Sequence, residues 1–184
     1  MSNLNWDDYF CNLVLLASKK SKDPSTQNGC VIVGKGHEII STGFNGLPRG
    51  VHEDIPKMPE NLERYDIGYL SNLDKMIKKM SARYERPEKY KWFEHAERNA
   101  IYNAARIGTS LMGSTLYVTA WPCCDCARGI IQSGIETVKI FDISTPEFKQ
   151  RWKEDIDRTQ IMFEEARIKV GIIDPKSIKL LVNE

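Results

Sequence analysis

The residues best suited to chemistry lie in two short stretches, His95-Ala96-Glu97 and Pro122-Cys123-Cys124-Asp125-Cys126. Cys123 and Cys126 are spaced so that two thiolates on one helical turn reach a single metal ion, and His95 supplies a third ligand. A Cys₂His set leaves the fourth tetrahedral position to water, which is the arrangement of a catalytic zinc rather than a structural one. Glu97 is surplus to that ligand count and free to move protons. Two plainer readings compete. A Cys-x-x-Cys pair can be a redox dithiol, though a dithiol requires neither His95 nor Glu97. A structural zinc needs a fourth ligand, and Cys11, Cys30, His37 and His52 lie far upstream in unrelated contexts.

The elements that carry these groups follow from periodicity. Residues 95–107 read as a helix closed by Gly108, and Pro122 sets up another that runs to about Ser133. His95 and Cys123 thus open helices, whose positive ends favour thiolate over thiol. Trp6, Phe10, Leu13, Val14 and Ala17 place a first amphipathic helix over 5–20. The runs 30–33 and 38–42, joined by Gly34-Lys35-Gly36, predict a β-hairpin. The next stretch, Gly43 to Gly50, is too rich in glycine for a regular element and reads as a ligand loop. The β-branched runs 114–120 and 137–141 predict strands, and 148–166 one long helix. A short strand over 169–173 follows, with the tail after Pro175 as a candidate for another. Between the hairpin and His95, residues 54–90 read as an insertion carrying a helix, too short to bury its own core. Alternating strands and helices imply a three-layer α/β/α domain spanning 1–184.

Composition bounds the function. At 184 residues the chain fits one domain with a substantial core. A net charge of +1 disfavours a protein whose main work is gripping a nucleic-acid backbone. The N-terminus has no basic region followed by an apolar run, and no window reaches membrane-spanning length. An odd count of five cysteines, three of them clustered, argues against a disulfide framework and for a cytoplasmic location.

The pattern H-x-E followed by P-C-x-x-C is the signature of zinc nucleobase deaminases, and the chain resembles the deoxycytidylate (dCMP) deaminases of the cytidine deaminase superfamily. The resemblance rests on Ser21-Lys22-Asp23-Pro24, Gly43-Phe44-Asn45-Gly46-Leu47-Pro48, His95 to Ile101, Leu116 to Thr119, Pro122 to Cys126, and Ile130 to Ile135. Phe44 departs from the family's usual tyrosine. The resemblance implies a central mixed five-stranded sheet, a homohexamer, and conversion of dCMP to dUMP that feeds thymidylate synthesis. It makes His95, Cys123 and Cys126 the ligands of one Zn²⁺ per chain. Glu97 becomes the shuttle that takes a proton from water and returns protons to N3 and the departing ammonia. Asn45 would bond the sugar, Ala96 and Trp121 would frame the pyrimidine, and Lys22 would meet a phosphate. The resemblance also implies activation by dCTP and inhibition by dTTP near Lys22, Asn28, Gly46 and Arg49, with Mg²⁺ accompanying the triphosphate. The alternatives are a deaminase of dCTP as well as dCMP, a tRNA or polynucleotide deaminase, a guanine or riboflavin-precursor deaminase, and a zinc scaffold without activity.

Overall fold

A computed structural model describes residues 3–180. In chain order the elements are α1 (Trp6–Ser18), β1 (Gly29–Val33), β2 (Ile39–Phe44), α2 (Ile67–Ser81), α3 (Lys89–Trp92) and α4 (Ala96–Ile107). They continue with β3 (Thr115–Val118), α5 (Cys124–Gln132), β4 (Thr137–Phe141), α6 (Pro146–Arg151), α7 (Lys153–Glu165) and β5 (Lys169–Ile173). The chain divides into two compact units, one formed by residues 1–46 with 95–184 and the other by residues 47–94.

The larger unit is built on a five-stranded mixed sheet in the order β2-β1-β3-β4-β5. β1 runs antiparallel to both β2 and β3, while β3, β4 and β5 are parallel to one another. Every residue of β1 is buried, because helices cover both of its faces and a central strand then has no polar side. Val31 and Val33 pack with Phe10, Val14, Tyr117 and Phe141 in a core beneath α1. Cys30 and Ile32 point the opposite way, into a core with Ala96, Ala100, Ala127, Ile130 and Phe163 from α4, α5 and α7. The two cores make a three-layer α/β/α fold, as the sequence predicts.

Small residues let α4 approach β2 closely. Ser41 Oγ donates to the Ala100 carbonyl at 2.7 Å, Asn99 Nδ2 to the Phe44 carbonyl at 2.8 Å and Asn103 Nδ2 to the Thr42 carbonyl at 2.9 Å. A side chain on Gly43 would collide with the backbone of Ala96 and Ala100. The glycine-rich stretch therefore begins inside a strand: β2 continues through Gly43 and Phe44, where sequence composition predicts a loop. Its glycine serves close packing rather than a turn.

Two further expectations are corrected. The single helix predicted over 148–166 is two helices, α6 and α7, broken at Trp152, whose φ of −100° and ψ of 9° leave the helical range. The tail after Pro175 forms a short 3₁₀ turn over Pro175–Ser177 instead of a strand, and residues 181–184 lie outside the described residues. No described helix is long and apolar enough to cross a membrane.

In the smaller unit, Asp66 caps α2 by accepting from the Tyr69 amide at 2.9 Å. Leu73 and Met80, two turns apart on one face of α2, are buried. Arg83 lies over the Trp92 ring at 4.2 Å, and Tyr84 donates to the Glu53 carbonyl at 2.8 Å. This unit starts at Leu47, earlier than the insertion predicted from composition.

Candidate metal centre

The two chemical stretches meet at the starts of adjacent helices. His95 is the N-cap residue of α4 and Cys123 that of α5, both with extended backbone angles and neither capping with its side chain. Their side chains are thereby released toward each other. His95 Nδ1 lies 3.4 Å from Cys123 Sγ and 3.6 Å from Cys126 Sγ. All three donor atoms lie within 4.8 Å of one another, and no carboxylate belongs to the cluster. With Zn–S near 2.3 Å and Zn–N near 2.05 Å, tetrahedral geometry puts nitrogen and sulfur about 3.6 Å apart. The donor set and its spacing fit zinc.

The same cluster is electrostatically tuned. The Cys126 thiol beside it, and then the His95 imidazole, lower the Cys123 pKa to about 4. Burial pushes Cys126 well above the ordinary thiol range. Burial alone would depress His95, but the adjoining Cys123 raises it. Glu97, in the first turn of α4, is only 5% exposed. Burial raises its carboxyl above the usual range, opposed by His95. A carboxyl raised in this way both accepts and gives up protons nearer neutral pH than a free glutamate does.

The structure also places the remaining sequence-predicted residues. Ala96 is fully buried under the first turn of α4, and Trp121 is half-buried. Asn45 is more committed than the sequence suggests. Its Oδ1 accepts from the Asn28 amide at 2.7 Å, and its Nδ2 donates to Asp23 Oδ2 at 3.1 Å and to the Thr26 carbonyl at 2.8 Å. Both amide donors are thus used in tying β2 to the 21–28 loop, so Asn45 could meet a sugar hydroxyl only as an acceptor or after exchanging a bond. Asn28 joins the same network, its Oδ1 accepting from Thr119 Oγ1 at 3.1 Å. Lys22 is exposed, and Gly46 closes the larger unit's run through this region. Arg49 is exposed on the smaller unit.

Periodicity missed several neighbours of the site. The Trp152 ring stands edge-on to His95, with centroids 5.9 Å apart and planes at 85°. Beside Trp121 opens a cavity of about 440 Å³ whose lining includes Asp142, Lys149, Gln150, Lys153 and Ile156. Lys149 pairs with Asp142 at 3.0 Å, and Lys153 with Asp157 at 2.6 Å. In the sequence these lysines look like the solvated face of an amphipathic helix.

A three-layer α/β/α sheet with a Cys₂His cluster at two helix starts and a buried glutamate beside it defines an enzyme of the cytidine deaminase type. Residues 4–142 match the family described as the cytidine and deoxycytidylate deaminase zinc-binding region, and the chain belongs to that family. A probable deoxycytidylate deaminase of Drosophila melanogaster is 40% identical over 73% of this chain, which spans 58% of that protein. The deoxycytidylate deaminase of Homo sapiens is 30% identical over 98% of this chain and 86% of its own. Among solved structures, dCMP deaminase from the cyanophage S-TIM5, in complex with dCMP and dUMP, shares the fold with a TM-score of 0.64. Its identity is 20%, covering 94% of this chain and all of that one.

Proposed function

We propose that the protein hydrolyses dCMP to dUMP and ammonia, with His95, Cys123 and Cys126 holding zinc and Glu97 carrying the protons. The observation that carries this reading is the Cys₂His cluster with the buried Glu97 carboxyl next to it. A zinc ion held there would lower the pKa of a water at its open position toward neutrality. Glu97 takes a proton from water as a new C–O bond forms at C4 of the cytosine. It passes that proton to N3, then takes the remaining proton from the new C4 hydroxyl and delivers it to the exocyclic amine, so that the C4–N bond breaks and ammonia leaves. Trp121 bounds the base, with the backbone at Ala96 on the pyrimidine edge. That the related proteins are named deoxycytidylate deaminases supports dCMP as the substrate.

The cavity beside Trp121 supports a nucleotide over a nucleoside. Lys149 and Lys153 offer ammonium groups at its wall, and Asp142 fixes Lys149 in place. A 5′-phosphate there would draw on both lysines, with Lys22 as a further candidate. On family resemblance we extend the reading to a cytoplasmic homohexamer that supplies dUMP for thymidylate synthesis. The same resemblance supports activation by dCTP with Mg²⁺ and inhibition by dTTP, at a site drawing on Lys22, Asn28, Gly46 and Arg49.

Glu97→Gln tests the chemistry. It keeps size and all three ligands, so zinc content should match the parent protein while turnover falls at least 10²–10⁴-fold, the usual worth of one acid/base group. Activity within tenfold of the parent would assign the proton transfers to another residue. Ammonia release from dCMP, dCTP, cytidine and a short single strand, assayed side by side, tests the substrate; a single strand outrunning dCMP would overturn it.

A further inference from the structure

The three metal-binding side chains come from two separate helices, so their bite depends on how firmly the helix starts are held together. Apolar contacts among Ala96, Ala100, Ala104, Ala127 and Ile130 fix the buried faces of α4 and α5. An ion pair joins the outer faces of their first turns. Arg98 follows Glu97 in the first turn of α4, and its Nη1 lies 3.3 Å from Oδ2 of Asp125, which stands between Cys123 and Cys126. The Arg98 stem is held where it crosses α5. A Cβ on Gly129 would already be in van der Waals contact with Arg98 Cγ at 3.9 Å and with Ile101 Cδ1 at 3.5 Å. The Arg98 side chain is accordingly only 19% exposed. The other Asp125 oxygen is taken by Arg128, one turn further along α5 itself.

We propose that the Arg98–Asp125 bridge is a positioning device, holding the first turns of α4 and α5 at the separation the metal requires and so slowing metal loss. Arg98 and Arg128 grip the same carboxylate with the same charge. Of these two arginines, Arg98 spans the two helices whereas Arg128 stays within α5, so it is Arg98 that bears on the ligand bite. An ordinary half-exposed ion pair contributes little, and it would not distinguish the two arginines. A clamp on the ligands' geometry distinguishes them, because groups that orient ligands are worth about 10–100-fold in metal affinity.

This inference rests on the zinc reading, and the test separates the two. Purified protein is loaded with zinc, and the rate of release to a chromophoric chelator is measured for the parent, Arg98→Gln, Asp125→Asn, Arg128→Gln, Arg98→Lys and the Arg98→Gln/Asp125→Asn double variant. Release should quicken about tenfold in Arg98→Gln and Asp125→Asn. The double variant should be no faster than either single, since both remove one bridge. Arg98→Lys should recover part of the loss, and Arg128→Gln should stay within twofold of the parent. The absorption bands of the cobalt-substituted protein should shift in Arg98→Gln and not in Arg128→Gln. Unchanged release in Arg98→Gln, equal effects of Arg98→Gln and Arg128→Gln, or additive single effects would each overturn the bridge while leaving zinc in place. A parent protein that holds no zinc would instead overturn the metal reading itself.

Discussion

Replacing Gly43 by alanine should damage the site without touching any residue in it. A Cβ at that position would lie 2.2 Å from the Ala96 carbonyl oxygen, 2.5 Å from the Ala100 nitrogen and 3.0 Å from the Ala100 Cα. Ordinary contact begins near 3.4 Å, so α4 must retreat from β2 by about 1.2 Å. Nothing flexible can give way, because every clashing atom is backbone. The retreat would stretch the three side-chain bonds from Ser41, Asn99 and Asn103 that lie across this junction. Overpacking costs about 1–3 kcal/mol and loosened hydrogen bonds about 1 kcal/mol each. Together a loss of about 4–6 kcal/mol is expected, lowering the melting temperature by about 8–24 °C. Because His95 and Glu97 ride on the first turn of α4, a shift of about 1 Å should also reduce turnover about 10²-fold. Gly29→Ala is the matched control. Its Cβ would meet the Val14 carbonyl oxygen at 2.0 Å and the Ser18 nitrogen at 2.8 Å, displacing α1 on the opposite face of the sheet. It should cost similar stability and spare zinc content and turnover in the folded fraction. Urea unfolding, zinc stoichiometry and kcat on both variants decide the matter. Full turnover in Gly43→Ala, or equal loss of turnover in Gly29→Ala, would refute the reasoning.

If the Trp121 cavity takes the phosphate, Lys149→Ala and Lys153→Ala should each lower the ratio of kcat/KM for dCMP to that for deoxycytidine by about 10–100-fold, the worth of a charge-assisted hydrogen bond; an unchanged ratio would move the phosphate elsewhere. On the far face of the sheet, burial would raise the Asp7 carboxyl, but bonds from Lys139 at 2.6 and 2.9 Å and from Tyr117 at 2.7 Å hold it below its ordinary 3.8. A depressed carboxyl stabilises the fold above its unfolded pKa and loses that contribution as pH falls through the folded one. Asp7→Asn should therefore cost about 1 kcal/mol at pH 7, solvent screening included, and the gap to the parent should close as pH drops below 3.8 in denaturant titrations. Cys11, pushed up to about 12 mainly by burial, should resist alkylation at pH 8 while the protein stays folded.

What could be read from the sequence was local or periodic. The His95, Cys123 and Cys126 cluster was legible because cysteine spacing on one helical turn is a short-range fact, and the strand over 137–141 because four of its five residues are β-branched or aromatic. What could not be read depends on contacts between distant segments. Gly43 looked like a loop residue because its reason for being glycine is the backbone of Ala96, more than fifty residues away. Asn45 looked free to meet a substrate because its bonds run to Asp23, Thr26 and Asn28. Trp152 is the sharpest case. A 3.6-residue repeat continues through 148–166 because the break at Trp152 keeps the apolar spacing, although α6 buries none of its residues while α7 buries Thr159 and Phe163. At the break the indole stands edge-on to His95. Lys149 in α6 and Lys153 in α7, on either side of that break, both line the cavity beside Trp121, so two lysines that a single straight helix would make ordinary surface residues come to share one wall.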